Sequence, residues 1–287
     1  MSIRWLTVFL DFPAGSFDAG VAFWREVTGY GLSAARGAHG EFATLQPSAG
    51  DAYLRVQRIR DGAGGCHLDL HVDTETASLD TVARRAQEAG ALVRNAEPGL
   101  VVAESPGGFL FCLTRWDGER VVPPPLGAAA GVAGVGGGRS EASAADGGRT
   151  ADGPDAGDGR RTADGADTGD GVSRVDTLCL DVPPGGFERE VAFWAGLTGL
   201  AARPAPVPGY AALPRRADWP VRLLFQQRES DAPGDRTRGH LDFGCTDPGA
   251  RDRHVALGGQ VSATLEHWTV LADPAGREYC LCGRAPA

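Results

Sequence analysis

The sequence predicts an α+β chain made of two tandem copies of one domain, each copy containing two βαβββ modules. Two observations carry this. The first is an internal repeat. Leu178-Cys179-Leu180-Asp181-Val182-Pro183 echoes Val8 to Pro13, and Val191-Ala192-Phe193-Trp194 echoes Val21-Ala22-Phe23-Trp24. Gly239-His240-Leu241-Asp242 likewise echoes the stretch around His67, and Asp273-Pro274-Ala275-Gly276 matches Ser105-Pro106-Gly107-Gly108. The copies run in step: Val8 precedes Leu178 by 170 residues, His67 precedes His240 by 173, and Cys112 precedes Cys280 by 168. The second observation is the order of hydrophobic periods within a copy, which alternates between strand and helix patterns.

Residues 5–12 are rich in β-formers and read as a strand, closed by the turn Pro13-Ala14-Gly15. Ser16 or Asp18 can cap a helix whose apolar positions Phe17, Val21, Trp24 and Val27 follow helical spacing and which Gly29 ends. Phe23 and Trp24 read as core residues packed against a sheet. Short strands are expected at 41–46 and 52–59, then a strand through His67. Asp73 or Thr76 is the expected cap of a second helix carrying Leu79, Val82, Ala83 and Ala86 and ending near Gly90. Strands at 91–94, 99–104 and 109–115 complete the copy. In the second copy Asp247-Pro248 is the expected cap and first helical residue of its last helix.

Domain one therefore spans 1–126 and domain two 173–287, with a tract between them over 127–172. That tract is mostly Gly, Ala, Asp, Arg, Ser and Thr without an aromatic residue, a composition expected of a disordered linker.

Composition excludes several functions. The net charge is −9 and no segment carries a basic excess, which disfavours nucleic-acid binding. Lysine is absent, so neither a lysine Schiff base nor a Walker-type phosphate loop is available. No apolar run approaches eighteen residues, so no membrane span is expected. The first residues go straight into a strand pattern and do not read as a signal peptide, and a cytoplasmic protein is expected. Six cysteines without Cys-x-x-Cys spacing read as free thiols in a reducing compartment.

Candidate chemistry sits on the repeated histidine strand. Side chains alternate along a strand, so His67, Asp69 and His71 share one face opposite Leu68, Leu70 and Val72. His240 and Asp242 share a face in the same way, and Glu278 shares one with Cys280. A histidine beside a carboxylate can act as a general base with an orienting partner, which makes His67 and His240 the candidate catalytic residues. Asp11 and Asp181, each next to a turn, read as turn or cap residues.

The duplicated βαβββ pattern resembles the vicinal oxygen chelate superfamily of glyoxalases, bleomycin-resistance proteins and extradiol dioxygenases. The residues carrying the resemblance are Phe-Trp on the first helix, His67-Leu68-Asp69-Leu70, and Asp273-Pro274-Ala275-Gly276 before the last strand. It covers nearly all of both domains and points to the glyoxalase-like branch. It implies two curled eight-stranded cups with helices outside, packed on each other. The family's metal ligands come from the first strand, the strand opening the second module, and the last strand. Here those positions hold Thr7 and Thr177, His67 and His240, and Cys112 and Cys280, the last pair replacing the usual glutamate. Thr is a weak ligand and only one strong ligand of three remains, so no metal or other cofactor is expected in either domain. The expected ligand-binding set is Thr7, His67, Asp69, His71 and Cys112 in one cup and Thr177, His240, Asp242, Glu278 and Cys280 in the other. Two functions stay open. One is a protein that binds a small organic molecule. The other is a lyase, isomerase or dioxygenase-type enzyme using His67 or His240 as metal ligand or acid/base.

Overall fold

The computed structural model describes residues 2–127, 171–230 and 235–287. The expected linker falls on residues outside that set, apart from its two ends. The first sheet has eight strands and contains the first domain. Its strands are β1 (Ile3–Pro13), β2 (Gly31–Leu32), β3 (Phe42–Gln46), β4 (Leu54–Ile59), β5 (Gly65–Val72), β6 (Leu92–Glu97), β7 (Leu100–Glu104) and β8 (Leu110–Arg115). Their spatial order is β2-β3-β4-β1-β5-β8-β7-β6. Helices α1 (Phe17–Thr28) and α2 (Leu79–Glu88) are the crossovers of the two modules.

The second domain repeats this order with β10 (Val172–Val182), β11 (Arg203–Pro204), β12 (Tyr210–Ala212), β13 (Arg222–Gln227), β14 (Arg238–Cys245), β15 (Gln260–Thr264), β16 (Trp268–Ala272) and β17 (Glu278–Cys282). Its helices are α3 (Phe187–Thr198) and α4 (Ala250–Ala256). A further short strand, β9 (Leu126–Gly127), pairs with the start of β10, so the tract's first residue belongs to the second sheet.

Each sheet's two central strands, one from each module, run antiparallel, β1 against β5 and β10 against β14. β1 also pairs parallel with β4, and β5 with β8, which places both parallel pairs at the sheet's middle, where backbone groups are buried. Both α1 and α3 end at a glycine in the left-handed region, Gly29 and Gly199 at φ +69°, a conformation that costs a side-chain-bearing residue about 1 kcal/mol or more.

Two caps differ from expectation. Ser78, not Asp73 or Thr76, caps α2 and accepts from Thr81 N at 3.2 Å. Asp73 instead accepts from Glu75 N within the preceding turn and from Arg4 at its side chain. Asp247 accepts from Gly249 N, so the Asp-Pro pair forms a turn before α4 and Ala250 opens the helix. A short polar side chain satisfies a nearby N–H equally well in a turn and at a cap, so sequence distinguishes the two poorly.

The two domains share one core. Helix α1 covers its own sheet through Phe17 against Phe12, but Phe23 and Trp24 reach the second sheet. Trp24 stacks on Phe243 at 6.0 Å and donates from Nε1 to Asp273 Oδ2 at 2.8 Å. Helix α3 returns the arrangement, with Phe193 and Trp194 against Phe111. The second contact is wired differently. Ser105 stands where Asp273 does in the other copy, and Glu190 on α3 itself accepts from Trp194 Nε1 at 2.8 Å and from Gly107 N at 2.7 Å. The indole N–H thus finds a carboxylate in both places. Where β5 approaches β14, Cys66 meets Gly239. A methyl group on Gly239 would lie 2.6 Å from Cys66 Sγ, so this crossing needs glycine on one side.

His254 sits in this interface, 2% exposed, hydrogen-bonded to Tyr279 and edge-on to Phe23 and Phe243. Burial, helped by the nearby Arg253 charge, lowers its pKa to about 4. A depressed histidine pKa means that the unfolded chain takes up the proton first as pH falls. Stability is therefore lost between roughly pH 6.5 and pH 4, by about 3 kcal/mol. Urea titrations at pH 7 and pH 4 should show that loss in the wild type, and the His254→Gln variant should lack this part of it.

Candidate functional site

Each cup presents one histidine whose ring is fixed by an aspartate from the neighbouring central strand. In the first domain, β1 and β5 pair Phe9 with His67 and Thr7 with Asp69, so these side chains share the concave face. His67 Nδ1 donates to Asp11 Oδ2 at 2.7 Å, and its Nε2 faces Asp69 Oδ1 at 3.8 Å. In the second domain His240 Nδ1 donates to Asp181 Oδ2 at 2.8 Å and Nε2 faces Asp242 Oδ1 at 3.3 Å. Asp11 and Asp181 are therefore histidine partners, contrary to the turn reading. The signal was in the sequence. Thr7, Phe9 and Asp11 have one parity, and an antiparallel partner brings that face to His67.

Burial disfavours the charged imidazole at both sites, and the neighbouring groups outweigh it. His67 is raised by its bond to Asp11 and by the charges of Asp11 and Asp69. His240 is held well above its ordinary value by its bonds to Asp181 and Asp242. Burial raises Asp69 and pushes the Cys179 thiol up to about 12, so Cys179 keeps its proton. His71 behaves in the opposite way. Burial and the Arg55 charge lower it to about 3, and its neutral ring bonds Thr7 Oγ1 at 2.9 Å.

The two cups differ in what stands beside the histidine. In the first, the Phe9 ring stacks on His67 with centroids 4.5 Å apart, and Phe42 and Arg55 pack on Phe9. In the second, Cys179 holds the Phe9 position, paired with His240 in the same register. A cavity of about 370 Å³ opens there, walled by Tyr210, Leu224, Trp268, His240, Asp242 and Arg222. A larger cavity of about 850 Å³ lies between the domains where the two histidine strands begin, bordered by Asp11, Asp181, His240 and Arg277.

The expected ligand set is only partly assembled. His67, Asp69 and Cys112 converge in the first cup, and His240, Asp242 and Cys280 in the second, with donor atoms within 4.8 Å of one another. Thr7 and Thr177 do not join them. Thr7 is spent on His71. Thr177 Oγ1 accepts from Arg222 Nε at 3.3 Å and from Arg284 Nη2 at 3.1 Å and donates to Asp176 Oδ1 at 3.1 Å. Glu278 is exposed and borders the interdomain cavity, not the cup. β17 pairs with β14 only from Tyr279 onward, so Glu278 lies at the start of the strand outside that pairing, which parity alone does not show.

Sequence reasoning missed the floor of the second cup altogether. Asp176 is the unpaired residue at the Val175–Thr177 register shift in β10 and is fully buried. It accepts from Arg284 Nη1 and Nη2 at 2.6 Å each and from Arg215 Nη2 at 3.0 Å. Burial works against its charge, and the two guanidinium groups outweigh that and lower its pKa. These arginines are far apart in sequence and show no spacing that would group them.

A divalent cation of the kind implied by the fold family fits this floor poorly. Arg222 and Arg284 border the same cavity, and the Thr177 hydroxyl is turned to guanidinium groups. The first cup has Arg55 beside Asp69 and the Phe9 ring over His67. Like charges this close are unfavourable in a site shielded from water.

Two segments of the chain, residues 7–114 and 177–282, match the family described as glyoxalase-like domain. No curated protein matches in sequence. Solved structures match the whole chain at low identity. They include the 2,3-dioxygenase LapB from Pseudomonas sp. KL28, with TM-score 0.58, 13% identity, and coverage of 98% of this chain and 92% of that one. The 2,2',3-trihydroxybiphenyl 1,2-dioxygenase of Sphingomonas wittichii strain RW1 aligns with TM-score 0.54, 15% identity, and coverage of 98% and 90%. An extradiol ring-cleaving dioxygenase from B. fuscum aligns with TM-score 0.55, 13% identity, and coverage of 99% and 72%. At these identities the likeness is one of fold. With both of its matched segments covered by one family and its two sheets in the same strand order, this chain belongs to the glyoxalase-like domain family as a tandem duplication.

Proposed function

We propose that the second domain binds a small organic molecule in its cup without a metal, and that the first domain is chiefly a structural partner. The observation that carries this is the exchange of Phe9 for Cys179. The side chain that fills the space over the histidine in one copy is small in the other, beside a cavity of about 370 Å³. That volume suits a small ligand, and the wall combines apolar surface with a few placed polar groups, the usual make-up of a binding pocket. The floor of arginines supports the metal-free part of the reading.

A second reading is favoured by the Asp181–His240 pair. An imidazole oriented by a carboxylate and facing a cavity can donate or accept a proton at Nε2 on a bound molecule. In that case the binding protein is also an enzyme, with His240 as acid/base.

The test is elemental analysis of protein purified without chelators, repeated after loading with Fe(II), Zn(II), Mn(II) and Ni(II), together with a thermal-shift screen of small organic molecules. Substoichiometric metal and a stabilising ligand whose effect disappears in Cys179→Phe are expected. About one metal per chain or per domain, lost in His240→Ala, would overturn the metal-free reading and direct attention to His240, Asp242 and Cys280.

A further inference from the structure

The floor of the second cup carries a cation that forms no ion pair among the described residues. Five charged groups meet there: Arg215, Arg222 and Arg284 against Asp176 and Asp242. Asp176 is taken by Arg215 and Arg284. Asp242 faces His240 at 3.3 Å. Arg222 donates through Nε to Thr177 Oγ1 and forms no ion pair with a carboxylate among the described residues. Its register fixes the direction of the side chain. Arg222 pairs with Thr177, and Thr177 with Asp242, so all three project onto the concave face, and Arg222 lines the cavity. Burial and the like charge of Arg284 lower its pKa and outweigh the opposing pull of Asp176 and Asp242.

A partly desolvated guanidinium with an unused fork is costly unless an anion completes it, and carboxylate geometry matches that fork. Along the walls, Tyr210 and Trp268 offer ring surface and Leu224 an aliphatic one. Burial raises Tyr210 to about 12, so its phenol stays neutral and adds no competing negative charge. Arg222 and His240 lie two strands apart and two residues along, about 12 Å between their backbones by strand geometry. One ring or a short chain spans the space left between their side chains.

We propose that the second cup takes an organic monocarboxylate, with the carboxylate on Arg222, the ring or chain between Tyr210 and Trp268, and the distal end presented to His240. This rests on the reading of the second cup as the binding site and adds the chemical class of its ligand. The first domain has Tyr53 at this position, preceding Leu54 as Arg222 precedes Leu223, with its hydroxyl donating to Val175 O, and its own arginine, Arg55, packs on the Phe9 ring that covers His67.

The test is isothermal titration calorimetry on the full chain with paired probes of equal size. Benzoate, phenylacetate and 3-phenylpropionate are compared with benzamide, phenylacetamide and 3-phenylpropionamide. At least one acid should bind about tenfold or more tightly than its amide, the usual margin of a charge-assisted pair. Arg222→Gln should erase that preference, Arg222→Lys should keep part of it, and Cys179→Phe should abolish binding of acid and amide alike. Because Arg222 forms no ion pair among the described residues and stands beside the like charge of Arg284, the melting temperature of Arg222→Gln should change little, which separates loss of the anchor from loss of the fold. Acids and amides binding equally well, both blocked by Cys179→Phe, would overturn the carboxylate assignment and leave the cup as the site. Binding unaffected by Cys179→Phe, or no binding by any probe, would overturn both.

Discussion

Replacing Trp24 by alanine is expected to destabilise the protein by about 3–5 kcal/mol, the range for deleting a fully buried indole. Trp24 is 1% exposed and belongs to the first domain by sequence, yet its ring packs on Phe243 and Tyr279 of the second. The variant also leaves Asp273 without its indole donor, although Arg277 and two backbone N–H groups still bond that carboxylate. Urea unfolding followed by a probe in each domain should give one transition, shifted equally for both. If only first-domain signals move, the shared-core account fails. The same reasoning predicts that segments 1–126 and 173–287 expressed singly will be poorly folded and will recover native spectra on mixing. Each alone would expose the helix face that its partner's sheet covers.

Asp176→Asn is expected to be comparably severe, about 3–5 kcal/mol, because it strands buried like charges. One carboxylate here binds both Arg284 and Arg215. Neutralising it leaves those two guanidinium groups beside Arg222 in a region sheltered from water. Chemical denaturation of Asp176→Asn against wild type measures the cost. A double variant, Asp176→Asn with Arg284→Met, should recover a substantial part of it, since one unpaired charge is then removed. If Asp176→Asn is neutral, the arginines are solvated more fully than their burial implies, and the anchoring role given to Arg222 loses its electrostatic basis.

These two expectations differ in how far sequence could have anticipated them. The repeat, the strand and helix order and the concave faces were all legible. Strand parity placed His67, Asp69 and His71 together, and helix spacing placed Trp24 on an apolar stripe. Both depend on local geometry with a fixed period, which any single chain displays. The Asp11–His67 and Asp181–His240 pairs lie at the limit of this approach. Their parity was readable, but their meeting requires the antiparallel register of two strands more than fifty residues apart.

What the sequence alone determined is the fold: two copies of one βαβββ duplication, with a histidine at the start of each copy's second module. Only the tertiary structure decided three further matters: which sheet each Phe-Trp pair covers, which cup is open, and where the arginines gather. Helix α1 could bury its stripe against either sheet, because apolar burial is non-directional and only the packed partner fixes the choice. The open cup follows from Phe9 against Cys179, an ordinary pair of buried apolar residues until the histidine beneath them is in view. Arg215, Arg222 and Arg284 have no common period, and Coulomb interactions act through space, so their convergence on Asp176 appears only once the chain has closed around it.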